Sequence, residues 1–112
     1  MKPAACRTLV TLAALLVLFA LPAASFAADE GADLFKSKCA MCHGPDGAAK
    51  TAMGQSLKIP ALQSDDVQKK SDADLKTIIT KGKGKMPPYE GKLTKEQIDK
   101  LVGFIRELAK KH

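Results

Sequence analysis

The sequence predicts an all-α domain, on three observations. Ile98, Leu101, Val102, Ile105 and Leu108 recur at helical spacing, with Phe104 beside them. A second segment starts at Ser71, carries Leu75, Ile78 and Ile79 as an inward stripe, and stops at Gly82. No segment alternates with the two-residue period of a strand, and no internal repeat is visible.

In chain order, Asp29 is placed to cap a helix over about Gly31 to Lys38, with Leu34 and Phe35 as its apolar contacts. Gly44-Pro45-Asp46-Gly47 then breaks the helical pattern with strong turn chemistry. Ala48 to Leu62 reads as an extended loop punctuated by Gly54 and Pro60, and Ser64-Asp65-Asp66 opens a short helical turn through Val67. Ser71 and Asp74 fit the N-cap and third-position pattern of the next helix. Lys81-Gly82-Lys83-Gly84-Lys85 reads as a basic, flexible strip, after which Pro87 and Pro88 exclude a helix. Thr94 and Gln97 form a capping box for the last helix, and Lys110 and Lys111 suit its C-terminal dipole.

The chain has 112 residues, so one domain is the ceiling. Its N-terminus lowers that further. Lys2 and Arg7 precede an apolar run from Leu9 to Leu21, Pro22 breaks the run, and Ser25-Phe26-Ala27 supplies small residues for cleavage. This is the pattern of a Sec-type signal, expected to occupy residues 1–27 and to be cut after Ala27. The apolar run is short for a retained anchor. Export implies the periplasm, with no membrane span left after cleavage. Cys6 leaves with the signal, and so do two positive charges from a formal net charge of +6. The remaining basic balance suits acidic protein surfaces or anionic lipid. Nucleic acid is not expected as a partner: Tyr89 is the only tyrosine and there is no Trp, so stacking platforms are lacking.

What remains, residues 28–112, holds two cysteines, in Cys39-Ala40-Met41-Cys42-His43. The string reads C-x-x-C-H, the attachment signature of c-type haem. Two thiols three residues apart share one face of a helical turn and can add to the two vinyl groups of one porphyrin. The adjoining His43 then lies where it can bind iron. Two other readings compete. A thioredoxin-like redox pair needs a βαβ context, which the pattern lacks. A zinc site needs more ligands, and His112 is the only other histidine. A buried haem also answers a stability problem, because a domain of this size is near the lower limit for a self-sufficient core.

A low-spin electron carrier needs a sixth ligand. His112 is terminal, and Met41, between the cysteines, cannot turn to the opposite ring face. Met86 is favoured because the two prolines after it stiffen its loop. Met53, in Thr51-Ala52-Met53-Gly54, is the competitor, and either methionine could instead be core filler.

With those residues in place, the chain resembles a small class I c-type cytochrome of the bacterial kind. The matching pieces are Gly31-x-x-x-Phe35, Cys39-x-x-Cys42-His43-Gly44, Pro60-x-Leu62, Met86-Pro87 and the helix from Leu101 to Leu108. The resemblance implies a fold whose N- and C-terminal helices cross around one covalently bound haem, with Gly31 and Phe35 meeting Leu101 and Phe104. It implies that the Pro60 carbonyl accepts the second ring N–H of His43 and that Leu62 packs on the porphyrin. There is no Asn and no Trp, so the groups that hold a haem propionate in many relatives are absent.

Cys39 and Cys42 as thioether anchors, with His43 and Met86 as axial ligands, leave iron no open position. The expected function is that of a soluble, monomeric, periplasmic one-electron carrier of a respiratory chain, rather than an enzyme. Lys81, Lys83, Lys85 and Lys92 flank the Met86 loop and suit redox partners with acidic docking surfaces. The alternatives are a haem-based gas sensor and the haem subunit of a redox enzyme complex.

Overall fold

The computed structural model describes residues 24–111, with side chains from Asp29 onward. Cys6, most of the expected signal segment and His112 lie outside the described residues. Six helices follow in order: α1 (Ala24–Lys38), α2 (Ala40–His43), α3 (Ala52–Ser56), α4 (Asp65–Gln68), α5 (Asp72–Lys81) and α6 (Lys95–Lys110). Among the described residues no strand forms, and the only pairings of that kind are two isolated bridges.

The two longer C-terminal helices start where their caps place them. Ser71 accepts from the Asp74 N–H at the start of α5, and Thr94 and Gln97 close a reciprocal capping box at α6. Two expectations fail. Asp29 does not cap α1, because the helix already begins at Ala24. The alanines before Asp29 are strong helix formers, so the helix propagates through it. The expected extended loop from Ala48 to Leu62 contains α3, capped by the Thr51 side chain, which accepts from the Gly54 N–H. Five residues are too few to show a period in sequence.

The centre of the molecule is the crossing of α1 and α6. Phe35 and Leu101 are each 1% exposed there. The Phe35 and Phe104 rings meet with centroids 4.9 Å apart at 47°, a tilted geometry that suits aromatic quadrupoles. Gly31 sits where a Cβ would lie 2.5 Å from the Lys100 carbonyl oxygen and 3.3 Å from the Phe104 Cβ. Only a residue without a side chain lets the backbones come so near. Glu30 pairs with Lys100 across the same crossing.

Helix α5 lies against α6 through Leu75 and Ile79, with Lys76 and Asp99 paired at 2.8 Å on the rim. The four-residue α4 is too short to persist by itself and is held from α6. Arg106 donates to the carbonyls of Gln68 (2.9 Å) and Lys70 (2.6 Å) and to Asp72 (3.0 Å). Gln68 in turn donates to the carbonyls of Leu62 and Ile105. The core has no buried charged or polar side chain among the described residues. Its apolar cluster includes Leu62, Leu75, Ile79 and Leu93, with Cys39, Met86 and Tyr89 packed against it.

Candidate haem site

The C-x-x-C-H string forms a tight turn that continues the line of α1. Cys39 N–H donates to Phe35 O (2.9 Å), His43 N–H to Cys39 O (3.0 Å), and Gly44 N–H to Ala40 O (2.8 Å). A helix end leaves carbonyls without partners, and here they are met from the following loop. Ala49 N–H donates to His43 O at 2.8 Å, and the Thr51 hydroxyl donates to Cys42 O at 3.0 Å. Gly54 is buried against the Cys42 and Ala49 carbonyls, and a Cβ on it would lie 2.5 Å from each oxygen. So α3 buttresses the attachment turn through Thr51 and Gly54. The sequence reading missed both, although a Thr before Ala52 and Met53, two good helix formers, was a usable cap signal.

Cys39 and Cys42 are unbridged thiols. Burial, followed by the neighbouring Cys42, pushes the Cys39 thiol up to about 11. A dithiol exchange centre needs a thiolate of lowered pKa, and the shift at Cys39 runs the opposite way. Burial lowers the His43 pKa from its ordinary 6.5, which keeps the imidazole neutral, the form that ligates metal. Its Nδ1 is buried with no hydrogen-bond partner. Among the described residues no cluster of three or more Cys, His, Asp and Glu gathers, so zinc finds no further ligands.

Two thiols on one turn, a neutral half-buried imidazole and an apolar wall fit a covalently held haem. The orphaned Nδ1 also fits, because a histidine that ligates through Nε2 carries its proton there. The bond from Nδ1 to the Pro60 carbonyl implied by the resemblance is not formed. Pro60 is exposed, and its loop is held on either side by Ile59 N–H to Gly54 O (3.0 Å) and Leu62 N–H to Gly47 O (2.8 Å). Leu62 is buried in the core cluster.

The methionines separate by exposure. Met41 is 79% exposed and Met53 45% exposed, whereas Met86 packs on the apolar cluster that also contacts Cys39. The segment before Met86 is not the flexible strip expected from its glycines. Lys83 and Met86 exchange backbone hydrogen bonds of 3.1 and 2.9 Å around Gly84 and Lys85. Tyr89 N–H donates to Ile79 O and Glu90 N–H to Thr80 O, both at 3.1 Å, and Lys81 grips the Glu90 carboxylate with both oxygens in reach. Gly82 has φ of +77°, and a Cβ on it would meet Met86 O at 2.6 Å and Pro88 N at 2.9 Å. Its glycine encodes a specific left-handed corner. Gly82→Ala is therefore expected to displace the Met86 loop while α6 keeps its helix. The check is whether the variant, loaded with haem, loses the weak far-red band that a methionine sulfur gives on ferric haem iron, with its helical circular dichroism intact.

The fold and this site fit a protein that carries a covalently bound haem. The family described as cytochrome C oxidase, cbb3-type, subunit III matches residues 26–105. Cytochrome c6 of Picosynechococcus is 30% identical over 106 residues, covering 89% of this chain and 91% of its own length. Cytochrome c6 of Gloeothece citriformis is 34% identical over 111 residues, 91% of this chain and 92% of that protein. Cytochrome c6 of Thermosynechococcus vestitus is 34% identical over 104 residues, with 88% and 87% covered. The chain belongs to the c-type cytochromes, as a small class I member with one covalently bound haem. It is an electron carrier and not an enzyme.

Proposed function

We propose that this chain is a soluble, monomeric one-electron carrier, exported to the periplasm by residues 1–27 and working between redox proteins of a respiratory chain. The observation that carries the reading is that Met86 packs on the same apolar cluster as Cys39, while Met41 and Met53 are exposed. Haem, when bound, supplies an iron that changes reversibly between the ferric and ferrous states. The chain does the rest. Cys39 and Cys42 fix the ring edge covalently. His43 would hold the iron through its Nε2, and Met86 would hold it through its sulfur. Pro60 and Leu62 complete the pocket, with the Pro60 carbonyl as acceptor for the His43 Nδ1 proton and Leu62 packed on the ring. A buried, unpaired N–H costs about 1–3 kcal/mol, which is what an acceptor for the His43 Nδ1 proton would recover.

With both faces filled, the site binds no substrate. Partners meet the exposed lysines around the Met86 loop. Lys83, Lys85 and Lys92 are exposed, while Lys81 spends its charge on Glu90. Electrostatic steering of this kind raises encounter rates by about 10–1,000-fold and weakens as salt screens it. Stopped-flow reduction of an acidic redox protein should slow by roughly tenfold between low and high salt. A flat salt response refutes the docking surface. Rapid binding of carbon monoxide to the unsubstituted ferrous protein refutes the carrier and points to a gas sensor.

A further inference from the structure

Tyr89 is the single tyrosine of the chain and stands three residues after Met86. Its hydroxyl donates to the Lys38 carbonyl at 2.9 Å. Lys38 is the last residue of α1, and that carbonyl belongs to the peptide entering Cys39. The backbone of Tyr89 is held on the other side by Ile79 O, and Lys92 and Leu93 both donate to its carbonyl at 3.0 Å. Tyr89 therefore ties the Met86 loop to α5 through its backbone and to the haem-attachment turn through its side chain. Among the described residues it makes the only hydrogen bond between residues 82–93 and residues 29–43.

We infer that Tyr89 is a positioning residue: its hydroxyl registers the Met86 loop against the turn that holds Cys39, Cys42 and His43, and so sets how firmly Met86 stays on the iron. The inference rests on the reading of Met86 as a ligand. The bond couples residues 51 apart, one entering the attachment turn and the other in the Met86 loop, the two segments that would hold the haem. Its contribution to global stability is small, because Lys38 is exposed and its carbonyl can turn to water when the hydroxyl is gone. Its contribution to registration is not replaced by water, which binds the carbonyl without holding the loop.

The test is Tyr89→Phe in the haem-loaded protein, which keeps the ring and its packing. Cyanide binding to the ferric form reports release of the methionine, because cyanide needs the sixth position. Apparent affinity for cyanide is expected to rise about fivefold, from loss of one net hydrogen bond, with the thermal unfolding midpoint of the helices unchanged. Affinity equal to that of the parent overturns the inference. So does a rise matched by an equal loss of helix stability, which would make Tyr89 a general brace. A parent ferric protein without the methionine band overturns the Met86 reading and the role of Tyr89 with it. A band that is present, with cyanide affinity indifferent to Tyr89→Phe, overturns the role of Tyr89 alone.

Discussion

Met86→Ala abolishes the far-red methionine band of the ferric protein and opens the ferrous iron to carbon monoxide. The reduction potential falls by on the order of 100 mV, a small part of the roughly 0.8 V that axial ligands span. A thioether sulfur favours ferrous iron, and water or a nitrogen base in its place favours ferric iron. Met53→Ala leaves the band and the potential as they were. Met53 is 45% exposed on the short α3, whereas Met86 is half-buried against the core and clamped by the Lys83 turn. Optical spectra and a redox titration of the two variants decide the matter. If Met53→Ala loses the band and Met86→Ala keeps it, the ligand assignment is reversed.

The second large effect is expected at the helix crossing. Gly31→Val puts a branched side chain where a Cβ alone lies 2.5 Å from the Lys100 carbonyl oxygen. That neighbour is backbone, so it cannot swing aside. Overpacking costs about 1–3 kcal/mol, and the crossing has no slack, with Phe35 and Leu101 each 1% exposed beside it. Losing glycine gains some helix propensity, up to about 1 kcal/mol for alanine and less for valine. The clash outweighs that gain for valine, giving a net loss of about 2 kcal/mol and, at roughly 4–8 °C per kcal/mol for a small domain, a midpoint lower by about 8–16 °C. Gly31→Ala should fall between the two proteins, because its larger propensity gain meets a smaller clash. Thermal unfolding followed by circular dichroism measures both. A midpoint unmoved by valine would mean that α1 and α6 part without cost.

Local chemistry made part of this molecule legible in its sequence. Ser71 with Asp74, and Thr94 with Gln97, are caps whose bonds lie within three residues, so spacing alone revealed them. The apolar stripe of α6 became its buried face. The C-x-x-C-H string is likewise local. What stayed hidden depends on residues far apart. Nothing near Thr51 shows that its hydroxyl will meet Cys42, and nothing near Arg106 shows that it will hold the carbonyls of Gln68 and Lys70. The bond from Tyr89 to Lys38 spans the site and leaves no trace in composition. Glycine-rich Lys81–Lys85 misled for another reason. Glycine signals freedom in an unfolded chain but a specific corner in a folded one, and at Gly82 the second meaning holds.

The crossing of α1 with α6 also sets an order of events. The helix that leads into Cys39 finds its main partner in the last long element of the chain. A chain made or exported from its N-terminus presents Cys39 and Cys42 long before Leu101 and Phe104 exist to cover Phe35. A lone helix of that length is marginal in water, so until the final residues emerge the two thiols sit on an open segment. The late arrival of α6 leaves Phe35 uncovered until the crossing forms, while Cys39 and Cys42 stay partly exposed even after it.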